Sequence, residues 1–175
     1  MGNCGEKYVT LKPIYKIIDW MRLLGNIEAR TDAKGRVFLP ASFRKVLQSS
    51  QEECLVLRKD VYQSCLVLYP EKVWNEQMDM LRSRLNRYNA QHQRIFRQFV
   101  SEVEQVTLDG NGRFLIPKRY LQLSGIQQEI KFIGMGDTIE IWSNEKIKES
   151  QMGSEEFGQA LESIMGQEVS PTGLE

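Results

Sequence analysis

The feature that most constrains this chain is an internal repeat. Asp32-Ala33-Lys34-Gly35-Arg36-Val37-Phe38-Leu39-Pro40 recurs 77 residues later, without a gap, as Asp109-Gly110-Asn111-Gly112-Arg113-Phe114-Leu115-Ile116-Pro117. Both copies read Asp, two spacers, Gly-Arg, three apolar residues and Pro. An aromatic follows at the same offset in each, Phe43 and Tyr120. A repeat must be found before anything else, because it fixes the architecture. Each copy spans about fifty residues, too few for a generous core of its own. The expected solution is that the halves interlock into one β-rich barrel, like a homodimer whose two copies were fused.

Each copy reads as strand, turn, strand and short helix, followed by two more strands. Asp with Gly three residues later is turn chemistry: the carboxylate can bind backbone two residues on, and Gly accepts positive φ. The apolar triplets after Arg36 and Arg113 read as short buried strands. Pro40 and Pro117 end them and suit the first turn of a helix. The spacing predicts helices over Ala41–Leu47 and Lys118–Leu123, and strand pairs Cys54–Arg58 with Cys65–Tyr69 and Ile130–Gly134 with Thr138–Trp142. Between the copies, Glu71–Tyr88 and Gln91–Val100 read as helices, with Trp74, Met78, Leu81 and Leu85 as one apolar stripe. A last helix is expected over Glu155–Met165, where Phe157, Leu161 and Ile164 fall at helical spacing.

Charge divides the chain. Lys plus Arg and Asp plus Glu are 23 each, which argues against a chain made only to coat nucleic acid or a membrane surface. The balance hides two opposed segments. Residues 149–175 hold six Glu and no Lys or Arg, whereas residues 1–148 hold 23 cationic against 17 acidic residues. No run approaches the roughly 20 apolar residues of a membrane span. Cys4, Cys54 and Cys65 form no C-x-x-C pair and leave one unpaired in any disulfide scheme, which fits a reducing compartment and gives no zinc site. Residues 1–20 read as an extension or an over-long gene start, with Met21 as the second candidate start; Met1-Gly2-Asn3-Cys4 resembles a myristoylation start except that Glu6 stands where Ser or Thr is wanted.

Two readings of the repeated motif stand side by side. In one, Arg36, with Lys34 and the second copy's Arg113, meets nucleic acid: a planar guanidinium grips a guanine edge or a phosphate, and Gly35 or Gly112 lets backbone come close. In the other the motif is structural, with Asp32 pairing with Arg36 and Asp109 with Arg113. Arg82, Arg84, Arg87, Arg94 and Arg97 form a second basic group with no acid between Met80 and Ser101. It is either a solvated helix face or a phosphate or intersubunit contact. An enzyme is not expected. His92 has no partner pattern, no nucleophile–base–orienter set is visible, no metal site or cofactor is implied, and Gly134-Met135-Gly136 lacks the third glycine and following helix of a phosphate loop.

Over about Met21–Ser150 the chain resembles the MraZ family of bacterial transcriptional regulators of the division and cell-wall gene cluster. The resemblance rests on Asp32–Arg36 with Pro40, Phe43 and Arg44, on Cys65–Pro70 with Trp74, on Arg97-Gln98-Phe99, on Asp109–Pro117 and on Ile139–Trp142. It implies two tandem SpoVT/AbrB-like swapped-hairpin repeats, over 26–73 and 102–145, forming a pseudo-dimeric barrel in a β-rich α+β fold. A helical connector would occupy 74–101, and an acidic helix and tail 146–175. It further implies ring homo-oligomers in the cytoplasm and nucleoid, bound to direct repeats in double-stranded promoter DNA, with no membrane partner. The family's DNA-contacting arginine falls on Arg36, matched by Arg113; Leu121 stands where the first copy has Arg44. The competing expectation is a ring scaffold that binds protein rather than DNA.

Overall fold

Short apolar runs bounded by Asp-Gly turns leave a chain like this with strands too small to stand alone, so their burial depends on how they pair. A computed structural model describes residues 22–166. The expected extension at 1–20, the second candidate start at Met21 and tail residues 167–175 lie outside the described residues.

The order along the chain is β1 (Leu23–Arg30), β2 (Arg36–Phe38), α1 (Ala41–Ser49), β3 (Cys54–Lys59), β4 (Leu66–Pro70), α2 (Glu71–Arg84), α3 (Ala90–Ser101), β5 (Val103–Thr107), β6 (Arg113–Leu115), α4 (Lys118–Leu123), β7 (Glu129–Gly136), β8 (Ile139–Ser143), α5 (Asn144–Ser150) and α6 (Ser154–Met165). Six strands form one antiparallel sheet in the order β1-β7-β8-β4-β3-β5, and β2 pairs with β6 in a separate two-stranded ribbon. The first strand of each copy pairs with a strand of the other: β1 runs beside β7 and β5 beside β3. Exchanging the two copies turns the strand order into its own reverse, with the pseudo-twofold between β4 and β8. Among the described residues the hydrogen-bond order is open, with β1 and β5 at its ends, and the antiparallel sheet is not seen to close into a barrel.

One face of the sheet carries the main core. Leu55, Leu57, Leu66, Leu68, Ile130, Phe132, Ile139 and Ile141 are fully or almost fully buried there against Val37 and Phe114 of the ribbon and Phe43 and Tyr120 of α1 and α4. Phe132 is met by Phe43 edge-on and by Phe114 at a tilt, with ring centroids 6.5 and 6.4 Å away. Packing of this kind is the dominant favourable term. Cys65, Val67, Trp142 and Ile147 form a smaller cluster of their own. Cys65 is buried there, while Cys54 at the start of β3 is only half-buried.

The prolines do not enter the first helical turns. Pro40, Pro70 and Pro117 stand one residue earlier, as N-caps with extended ψ of 140–145°. Helix α2 ends four residues before the predicted Tyr88, because Leu85 turns to extended backbone. In the connector, α2 and α3 lean together through Trp74 stacked on Phe99 at 4.9 Å, with Tyr69 edge-on to Trp74 at 5.4 Å. Met78, Leu81 and Leu85 of the predicted stripe are only half-buried. His92 closes the break: its Nδ1 accepts the Asn86 amide at 2.9 Å, and its own amide donates to Asn89 Oδ1.

Candidate nucleic-acid interface

The repeated Asp organises each turn with one carboxylate. Asp32 Oδ1 accepts the amides of Lys34 and Arg36 at 2.9 Å each, and Oδ2 accepts Arg36 Nε at 2.7 Å. Asp109 repeats this with Asn111, Arg113 and Arg113 Nε, all at 2.9 Å. The Arg36 amide, aided by the Arg36 guanidinium, brings the Asp32 carboxyl down to about 2 from the ordinary 3.8. The Arg113 amide leads the same downward shift at Asp109. Gly35 and Gly112 close the turns at φ of +87° and +79°, conformations that favour glycine.

These turns are tied across the copies. Leu39 donates its amide to the Gly112 carbonyl, and Ile116 donates to the Gly35 carbonyl, both at 2.9 Å. The register places Arg36 opposite Leu115 and Phe38 opposite Arg113. Strand alternation then sorts the side chains. Val37, Leu39, Phe114 and Ile116 point into the core, and Arg36, Phe38, Arg113 and Leu115 lie on the outer face. The expectation that the triplets are wholly buried is therefore corrected: Phe38 is 57% exposed and Leu115 52%. A two-stranded ribbon has only one covered face, so every second residue faces water.

The structural role read for the motif is present, since both Asp–Arg pairs form. It does not consume the arginines. Each carboxylate holds Nε, and among the described residues the Nη groups of Arg36 and Arg113 carry no hydrogen bond. The Arg113 guanidinium also lies 5.7 Å from the centre of the Phe38 ring. Lys34 and Asn111 occupy equivalent exposed positions in the two turns. Asp32, Gly35 and Pro40, with Asp109, Gly112 and Pro117, thus frame a ribbon that carries Arg36 and Arg113 at its two ends, with Lys34 in the turn beside Arg36.

Three residues of this surface do not stand out for it in the sequence. Phe38 and Leu115 sit inside apolar triplets, where alternation from the adjacent Arg is the available signal. Arg44 is visible only as a mismatch with Leu121. Its Nη1 donates to the Asn111 carbonyl at 3.5 Å, and its guanidinium fills the space beside Gly112. The basic group of the connector lies elsewhere, with Arg82 stacked 4.3 Å from the Phe96 ring. Among the described residues no group of three or more His, Cys, Asp or Glu is arranged to hold a metal ion, and no helix is long and apolar enough to cross a membrane.

A family model described as "MraZ protein, putative antitoxin-like" matches residues 23–98 and again 99–160. The chain is 68% identical over 146 residues to a protein of Phocaeicola vulgatus named transcriptional regulator MraZ, covering 83% of this chain and 95% of that protein. It is 61% identical over 155 residues to the protein of that name from Bacteroides fragilis, covering 89% and 98%. A Christiangramia forsetii protein of the same name is 34% identical over 147 residues, covering 83% and 94%.

Proposed function

This chain belongs to the MraZ family, and from that premise we propose that it is a transcriptional regulator that reads promoter DNA with the β2–β6 ribbon. The relatives' shared name supports transcriptional regulation. The observation that carries the DNA reading is the outer face of the ribbon. Arg36 and Arg113 are fixed there through Nε, with their Nη groups turned to no partner among the described residues. A two-stranded ribbon is narrow enough for a major groove roughly 12 Å wide, and a guanidinium can bind guanine O6 and N7 with two donors. Phe38 and Leu115 beside the arginines supply apolar contact of the kind a thymine methyl accepts. Lys34 adds a phosphate contact at one turn.

The exchanged strands support reading the two halves as an AbrB-like swapped-hairpin pseudo-dimer. One such ribbon has few cations, so its affinity alone is modest. We read the protein as a ring homo-oligomer that presents several ribbons to direct repeats upstream of its own operon, where effective concentration multiplies the affinity. Its place is then the cytoplasm, at the nucleoid. The chemistry asked of the chain is recognition, with neither catalysis nor a cofactor.

A gel shift with the DNA upstream of the gene, at two salt concentrations, tests this. Wild type should shift the tandem-repeat fragment and not scrambled DNA, more weakly at the higher salt. Arg36→Ala should weaken the shift of the tandem-repeat fragment toward the level of scrambled DNA with the oligomer intact. Binding by Arg36→Ala equal to that of wild type would refute the assignment of Arg36.

A further inference from the structure

Helix α6 is amphipathic and, among the described residues, uncovered. Phe157, Leu161 and Ile164 form a stripe, Met165 extends it, and no residue of the helix is buried. Its charges are Glu155, Glu156 and Glu162, with no Lys or Arg. The pseudo-twofold shows why it lacks a neighbour. After β4, the fourteen-residue α2 is long enough to support α3 through the Trp74–Phe99 stack. After β8 the corresponding helix is α5, only seven residues long, and it offers α6 no such support. An apolar helical stripe of this kind needs a cover.

A complementary surface lies on the other half of the molecule. The α2–α3 hairpin and the β3–β4 loop enclose an open cleft of about 800 Å³, lined by Tyr62, Met80, Leu81, Ile95 and Phe99, with Arg84 beside them. Tyr62, Met80 and Ile95 are exposed, and α3 has no buried residue. The hairpin carries Arg82, Arg84, Arg87, Arg94 and Arg97. Of the cleft's two acids, Asp60 accepts the Tyr62 and Gln63 amides and Glu102 accepts Gln98 Nε2. Of the hairpin arginines Arg84 lines the cleft, beside Arg58 and Lys59. With six cations against Glu71, Glu76 and Asp79, the hairpin is net positive where α6 is negative. The lengths also match: twelve residues of α6 extend roughly 18 Å, the same as the twelve of α3.

We propose that α6 of one chain docks, apolar stripe inward, into the α2–α3/β3–β4 cleft of a second copy, with its glutamates facing the hairpin arginines. This rests on the ring reading above and assigns its seam. Helix and cleft are different surfaces, so the contact is head-to-tail, the kind that closes into a ring when the rotation per subunit allows.

Light scattering on full-length chains tests the seam. Leu161→Asp and Ile95→Asp change exposed positions on the helix and in the cleft, and circular dichroism melting checks that each still folds. Wild type should give the ring mass, and each variant alone the mass of a single chain. An equimolar mixture keeps one intact seam, α6 of the Ile95→Asp chain in the cleft of the Leu161→Asp chain. It should therefore form capped dimers and nothing larger. A folded Leu161→Asp variant that keeps the ring mass overturns the seam and leaves the ring reading standing. A mixture that stays monomeric overturns it too, in favour of docking within one chain or onto another protein. Wild type at the mass of one chain overturns both seam and ring.

Discussion

The Arg44 guanidinium lies against Gly112, filling the space where a Cβ would go. At the equivalent point of the first turn, Gly35 faces the Ile116 carbonyl, 2.7 Å from an added Cβ, with Leu121 close by. Both glycines hold positive φ, which costs an alanine about 1–2 kcal/mol. At Gly112 the obstacle is a movable side chain; at Gly35 it is backbone tied into the ribbon by the Ile116 amide. Gly35→Ala should therefore destabilise by about 3 kcal/mol or more and Gly112→Ala by about 1–2 kcal/mol. Urea unfolding measures both. Equal losses would show that the two turns are equivalent despite the Arg44–Leu121 difference.

The turn carboxylates set an acid limit on the ribbon. The Asp32 carboxyl titrates at about 2 in the fold, below its ordinary 3.8, first because it accepts the Arg36 amide. A group with a depressed folded pKa adds stability that is complete above its unfolded value and lost as pH falls through the folded one. Asp109 is shifted in the same direction. The urea midpoint of wild type should hold down to about pH 4 and then fall toward pH 2. Asp32→Asn with Asp109→Asn should lower the midpoint at neutral pH and flatten the fall across that window. A double variant with the wild-type slope would show that other carboxyls govern acid unfolding.

How much of this is legible in the sequence depends on which residues carry the signal. The turns are, because Asp32 and Gly35 act within five residues of one another and recur at Asp109 and Gly112. The outward direction of Phe38 and Leu115 is not, since apolar side chains in a three-residue strand look like core until the ribbon is seen to have only one covered face. Helix α5 escapes notice because seven residues with a single buried apolar side chain, Ile147, give no period to read. Arg44 stands out as a difference between the copies, yet it touches the opposite copy's turn, which turn chemistry alone does not disclose. The six-stranded order has the same character: propensity marks the strands, and tertiary burial chooses their partners.

The two described cysteines should differ sharply toward thiol reagents. Cys65 is fully buried, and that burial, with Glu140 and Asp60 nearby, pushes its thiol up to about 12. The thiolate is the reactive form, so Cys65 should react only through unfolding. Cys54 is half-buried at the start of β3. In a Cys4→Ser background, an aromatic disulfide reagent at pH 8 should modify one thiol in native protein and two in urea. Prompt reaction of both without denaturant would mean that the smaller cluster around Val67 and Trp142 opens readily.

The arginines and the lysine of the ribbon should separate when salt dependence is measured. Lys34 is an exposed point charge at the turn, suited to a phosphate, while Arg36 and Arg113 are fixed on the outer face of the ribbon by Asp32 and Asp109. Removing one cation from a phosphate reduces the slope of log affinity against log salt by about 0.9. Lys34→Ala should therefore flatten that slope by about one and weaken promoter and scrambled DNA alike. Arg36→Ala and Arg113→Ala should instead lower discrimination between the two DNAs, by about 1–3 kcal/mol per bidentate base pairing. Exposed ion pairs such as Asp32–Arg36 contribute about 0–1 kcal/mol to folding, so melting should change little. Fluorescence anisotropy titrations across a salt series give both quantities. If Arg36→Ala changes only the slope and keeps full discrimination, Arg36 binds phosphate and sequence is read elsewhere on the surface.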